Sequence, residues 1–146
     1  MKTYKQVVEV FEEAATKHLA IKSFASGPLS YLDSNSQNIK YPFIFLRPIS
    51  STGLVDNTRS LTFELYSLDV PKVSDENALL VMSNTELYLY DVGAYIRRGP
   101  YQQDMDFTMQ NIVPVNEGFQ DRVYGWVSTV TWSEFAVYDY CNYPEL

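Results

Sequence analysis

Between Thr3 and Leu19 the apolar side chains recur at helical spacing. Tyr4, Val7, Val8, Phe11, Ala14, Ala15, His18 and Leu19 share one face, and Lys5, Glu9, Glu12, Glu13 and Thr16 share the other. That pattern predicts an amphipathic helix over residues 3–19. Thr3 and Gln6 have capping-box spacing, and Lys5–Glu9 and Glu13–Lys17 are i,i+4 ion pairs. A short strand candidate follows at 20–25, closed by Gly27-Pro28, and a polar loop at 33–40.

The run from Tyr41 to Arg47 is almost continuously apolar, which predicts a strand covered on both faces. Pro42 fits only at its start or on a sheet edge. Residues 48–57, rich in Pro, Ser, Thr, Gly, Asp and Asn, read as a turn or extended hairpin loop. Leu61, Phe63 and Leu65 then alternate with Thr62, Glu64 and Tyr66, the pattern of a strand with one wetter face.

A second helix is predicted over residues 75–97. Ser74 is its expected N-cap, Asp75 and Glu76 lie in its first turn, Arg97-Arg98 at its end, and Gly99-Pro100 stops it. Ala78, Met82, Thr85, Leu89, Val92 and Ile96 form the expected core stripe. Leu80 and Leu87 lie well round the cylinder, and Val81, Tyr88 and Tyr95 lie further still. A helix that is apolar on more than one face is normally buried on more than one face. In a chain of this size the second cover is expected to be a neighbouring subunit, with local loops as the alternative. The candidate interface residues are Leu80, Leu87, Tyr88, Tyr95 and, just past the helix, Tyr101.

The last third reads as β structure. Asn111–Val115 is one strand candidate and Arg122–Phe135 a long one. Trp126, Val130 and Trp132 share one face of the latter, with Val127, Thr129 and Phe135 on the other. Gly125 within it implies a bulge or a close backbone approach. Residues 137–146 are polar and tyrosine-rich and read as an arm. The expected architecture is a single α+β domain over 1–146, with a mixed or antiparallel sheet packed against two helices. Polar segments at 48–58, 99–110 and the C-terminal end are expected to be flexible.

Composition sharpens this picture at three points. The net charge of −7 argues against a grip on nucleic acid, which requires clustered Lys and Arg. It remains compatible with lining a channel through which DNA passes without sticking. Aromatic residues make up 15% of the chain, with 12 tyrosines, a level expected of protein interfaces or of a β-rich domain. No apolar run approaches the ~20 residues that span a bilayer, and no signal-peptide core follows the N-terminus, so synthesis in the cytoplasm is expected.

Candidate chemistry is sparse. The glycines are scattered, with no phosphate-binding spacing, and no Cys/His pair has zinc spacing. The single cysteine, Cys141, reads as a half-buried small hydrophobe. The one histidine, His18, lies on the apolar face of the first helix, where it reads as a packed core-edge residue before a catalytic base. Asp104 and Asp106 are the nearest approach to a hard-cation pair, placed in a loop, without a further recognisable oxygen ligand. The residues therefore point to a chain that is not an enzyme and needs no cofactor. An unrecognised carboxylate site and a small α+β ligand-binding module are the competing classes.

The order of elements, carried by Tyr41-Pro42-Phe43-Ile44-Phe45-Leu46, Leu61-Thr62-Phe63-Glu64-Leu65-Tyr66-Ser67-Leu68-Asp69, Ser74-Asp75-Glu76-Asn77 and Asp121-Arg122-Val123-Tyr124-Gly125-Trp126-Val127, resembles the tail terminator and tail-completion or neck proteins of tailed bacteriophages. The resemblance implies a virion protein that forms a ring with copies of itself, often sixfold, at the head–tail junction. Such a ring caps the tail tube and meets the connector or stopper proteins, with DNA only as passing cargo and no membrane. It brings no active site with it, and it does not separate a terminator from another neck ring protein.

Overall fold

The computed structural model describes residues 1–34, 38–71, 77–101, 105–115 and 123–136. In chain order the elements are α1 (Tyr4–Lys17), β1 (Ser23–Ser26), α2 (Ser30–Ser34), β2 (Phe43–Val55), β3 (Thr58–Asp69), α3 (Ala78–Arg98), β4 (Asp106–Val115) and β5 (Tyr124–Phe135). The strands form one mixed sheet in the order β1-β2-β3-β5-β4. β1 runs parallel to β2 and the remaining pairs are antiparallel. This is the α+β architecture expected from the sequence, with the short α2 as an addition.

α1 begins where the capping box places it. Thr3 Oγ1 accepts from the Gln6 N–H at 3.2 Å, and Gln6 Oε1 accepts from the Thr3 N–H at 2.9 Å, an arrangement worth about 1 kcal/mol. Both expected ion pairs form, at 3.8 Å for Lys5–Glu9 and 3.0 Å for Lys17–Glu13. The helix ends at Lys17, two residues short of the expected limit, because His18 is extended and acts as the C-cap. Leu19 therefore leaves the apolar face and is 99% exposed, while Val10 takes a buried position.

The central strands explain themselves. Phe43, Ile44, Phe45 and Leu46 are all essentially inaccessible, because alternate members serve opposite faces of the sheet. Ile44 and Leu46 join Phe11, Phe63, Leu65, Leu89, Ile96 and Trp132 in the core beneath α1 and α3. Phe43 and Phe45 join Leu32, Tyr66, Leu68 and Val123 in a second cluster on the other face, reached by α2. Further along that second face Ser60, Thr62 and Glu64 stand opposite Ser133, Thr131 and Thr129, a half-buried polar surface.

Two segments expected to be flexible are strand. Residues 48–55 continue β2, with register shifts at Pro48/Ser50 and Thr52/Val55 that absorb the proline and glycine. The turn is reduced to Asp56 and Asn57, with φ of 50° and 55°, the left-handed pair that a tight two-residue hairpin needs. Residues 106–110 belong to β4, so Asp106 starts a strand and does not sit in a loop. A shift between Gln110 and Val113, with Asn111 at φ 55°, kinks this edge strand.

α3 spans Ala78–Arg98, with Asn77 at the N-cap position in place of the expected Ser74. Ser74, Asp75 and Glu76 lie outside the described residues, as do Asp104, Asp121, Arg122 and the 137–146 segment with Cys141. Its inward face is Val81, Thr85, Leu89, Val92, Gly93 and Ile96. Val81, placed on an outer face by the sequence pattern, is thus part of the core. The buried Thr85 hydroxyl donates to the Val81 carbonyl at 2.7 Å, and the Trp126 indole N–H donates to the Met82 carbonyl at 2.9 Å. The first bond lies within α3 and satisfies a buried hydroxyl, whereas the second crosses from β5 and helps fix how α3 is rotated over the sheet.

Candidate interaction surface

With that rotation set, α3 turns a second apolar stripe outward. Leu79 is 83% exposed, Leu80 58%, Leu87 56% and Tyr90 51%. Leu80 and Leu87 are two turns apart on one line, and Leu79 and Tyr90 share a second line roughly 80° round the helix from it. Isolated exposed leucines need no explanation, but a contiguous group of large apolar side chains on one helix face marks a contact surface.

The five residues singled out by sequence divide into two groups. Leu80 and Leu87 lie on this stripe. Tyr88, Tyr95 and Tyr101 are half-buried and occupied within the chain, along the seam between α1 and α3. The Tyr88 ring meets His18 edge-on at 5.1 Å, and Lys17 lies 6.0 Å from the Tyr95 ring. The Tyr101 hydroxyl donates to Glu13 Oε2 at 2.8 Å. Hydrogen bonds from Lys17 and Tyr101 hold the Glu13 carboxyl below the usual carboxylate range. Leu79 and Tyr90 were not singled out, because their exposure becomes visible only once the rotation of α3 is known.

His18 is engaged on both ring nitrogens. Nδ1 accepts the Ala20 N–H at 3.1 Å, which leaves Nε2 as the donor to Asp91 Oδ2 at 2.8 Å. A base needs a free lone pair facing a substrate, and this tautomer has none. The pair instead fastens the end of α1 to the middle of α3. Arg59 and Glu134, with Nη2 2.6 Å from Oε1, form a second fastening at the other end of the molecule. Among the described residues no group of three or more His, Cys, Asp or Glu side chains converges as a metal site would require. Asp106 is exposed at the start of β4.

Beside the apolar stripe lies a cleft of about 330 Å³ between α3 and β4. Gly93 opens it: a side chain there would press on the Met109 methyl. Its floor is Gly93, Ala94, Phe107 and Met109, with Tyr90 at one end and Arg97 and Arg98 on the rim. The stripe and the cleft share Tyr90 and so form one continuous surface.

No family model matches the chain, and no curated protein matches it either. No helix among the described residues is long and apolar enough to cross a membrane.

Proposed function

We propose that this chain is a structural subunit of a tailed bacteriophage that closes with copies of itself into a ring at the head–tail junction. In this reading the ring caps the tail tube, meets the connector or stopper proteins, is assembled in the bacterial cytoplasm and becomes part of the virion. The observation that carries self-assembly is the outward stripe Leu79, Leu80, Leu87 and Tyr90. Placement in a phage neck is supported by the resemblance of the strand and helix motifs.

Ring closure needs two different patches on opposite sides of one subunit. α3 packs over β3, β5 and β4, whereas α1 packs over β1 and β2. The two helices therefore stand towards opposite lateral edges of the sheet. Just past the end of α1, Leu19 is 99% exposed and offers the second apolar patch. In the ring, the α3 stripe of one subunit meets the Leu19 flank of the next.

The expected outcome of mixing two variants follows from this arrangement. Leu87→Asp and Leu19→Asp each remove one patch at an exposed site, so each variant folds and stays monomeric. An equimolar mixture retains one intact pairing and forms heterodimers without larger species, read by light scattering on a sizing column. If Leu19→Asp assembles like the parent, the contact is not of this two-patch kind.

One observation favours a second reading, a ligand-binding α+β module. The α3/β4 cleft reaches the lower end of the ~300–1,000 Å³ range of small-molecule sites. A chain that is monomeric at every concentration shifts the balance to that reading.

A further inference from the structure

The α3/β4 cleft is chemically two-sided. Its floor is apolar, with Phe107 buried and Met109 half-buried, and its rim carries Arg97 and Arg98, both exposed. Neither arginine has a hydrogen-bond or ion-pair partner among the described residues. The acids on the two lining elements do not offset them. Asp91 is held by His18, and neither Glu86 nor Asp106 makes an ion pair with either guanidinium. A helix C-terminus carries only about half a negative charge. One cation more than balances it, so two leave the rim positive on a chain whose net charge is −7.

The floor is kept open by what is missing from α3. The backbone of Gly93 is ordinary helix, so no turn demands glycine there. Its effect is on space, because a Cβ would stand 2.5 Å from the Met109 methyl. Ala94 beside it adds only a methyl group. The resulting volume of about 330 Å³ is room for about eleven groups the size of a water molecule, at ~30 Å³ each. One aromatic ring with a short acid-bearing arm has that size. The planar guanidinium fork matches a carboxylate in two parallel N–H···O bonds. Such a contact fixes the orientation of a body that apolar contacts alone would leave free to slide.

We propose that the α3/β4 cleft binds a small organic acid, with its apolar body on Phe107, Met109 and Tyr90 and its carboxylate against Arg97 and Arg98. The inference rests on the binding-module reading of this cleft and gives the class of its ligand. It does not require a ring.

The test is a titration of dilute, isotope-labelled full chain with phenylbutyrate, read at the Met109 methyl and the Gly93 amide. Two controls divide the ligand into its parts: phenylbutanol keeps the apolar body without the charge, and acetate keeps the charge without the body. Saturable shifts centred on those two signals are expected, with a midpoint about tenfold or more below that of either control. In Arg97→Ser/Arg98→Ser, both exposed sites, the phenylbutyrate midpoint should rise to that of phenylbutanol. Ala94→Phe fills the cleft from an exposed position and should abolish the shifts from acid and alcohol alike, with the unfolding midpoint confirming that the variant is folded. Phenylbutanol binding as tightly as phenylbutyrate, or an arginine variant that keeps the acid's affinity, overturns the acid and leaves an apolar pocket. Acetate binding equally well overturns the role of the floor. No saturable shift from any of the three overturns the binding-module reading together with the ligand class.

Discussion

Glu134→Ala is expected to destabilise the fold by about 3–5 kcal/mol, the usual cost of removing one partner of a buried ion pair. The Glu134 side chain is 4% exposed and that of Arg59 14%. Oε1 accepts both from Arg59 Nη2 at 2.6 Å and from the Lys2 N–H at 3.0 Å. Nη2 also donates to the Lys2 carbonyl at 2.6 Å, while the buried Arg59 Nε has no partner among the described residues. Truncating Glu134 leaves a guanidinium short of acceptors in a poorly solvated corner, and it releases the segment that leads into α1. Removing charge and counter-charge together, as in Arg59→Met/Glu134→Leu, should recover most of the loss, because the desolvation penalty disappears with the pair. Glu9→Ala breaks only the exposed Lys5–Glu9 contact, with side chains 87% and 56% exposed, and should change stability by less than ~1 kcal/mol. Urea unfolding followed by tryptophan fluorescence reads all three. A Glu134→Ala midpoint no lower than that of Glu9→Ala would show that the pair does not hold this corner.

The same glycine-to-alanine change should have very different effects at two positions. A Cβ on Gly125 would collide with the backbone carbonyl of Ser67 and would stand 3.0 Å from the Leu68 Cα. Gly125 lies on β5, between β3 and β4, paired with Leu68 on one side and Val115 on the other. Backbone on both flanks cannot retreat without opening the sheet, so Gly125→Ala should cost on the order of 3 kcal/mol. At Gly93 the obstacle is the Met109 methyl at 2.5 Å, the free end of a flexible side chain beside a cleft. Met109 can swing aside, and alanine gains about 1 kcal/mol of helix propensity over glycine. Gly93→Ala should therefore be near neutral. Similar losses at both sites would mean that the strand spacing around Gly125 is looser than the structure has it.

What could be read from sequence was what local chemistry determines. The start of α1 is written in Thr3 and Gln6, and the two-sided burial of Phe43–Leu46 in an unbroken apolar run. Gly125 in an aromatic-rich strand implied a bulge or a close approach, and the structure has the close approach, to the Ser67 carbonyl. The misreadings share a cause, because each concerns a segment whose state is decided by a distant partner. Residues 48–55 carry turn residues yet pair with β3, and residues 106–110 pair with β5, with Phe107 and Met109 turned to the core and Asp106, Thr108 and Gln110 exposed. Leu19 lost its place because the chain leaves helical geometry at His18, whose ring is held by Asp91 far along the sequence.

α3 shows the limit most clearly. A helix with apolar residues all round does not encode which stripe faces the sheet. Trp126, reaching from β5 to the Met82 carbonyl, helps select Val81 over Leu80. Sequence did identify Leu80 and Leu87 as surplus to one core. It could not find Leu79 and Tyr90, nor see that Tyr88, Tyr95 and Tyr101 are engaged with α1. The α3/β4 cleft left no trace in sequence beyond Gly93 and the two arginines, which have an ordinary explanation as helix-end bases.

The most direct test of self-assembly is the solution mass of the unmodified chain by light scattering, across a range of concentrations and beside Leu80→Asp/Leu87→Asp. The account predicts a discrete closed species many times the 16.8 kDa chain mass, near sixfold, that forms as concentration rises and is abolished in the double variant. A parent chain that stays at 16.8 kDa throughout, or a double variant that assembles equally well, contradicts it.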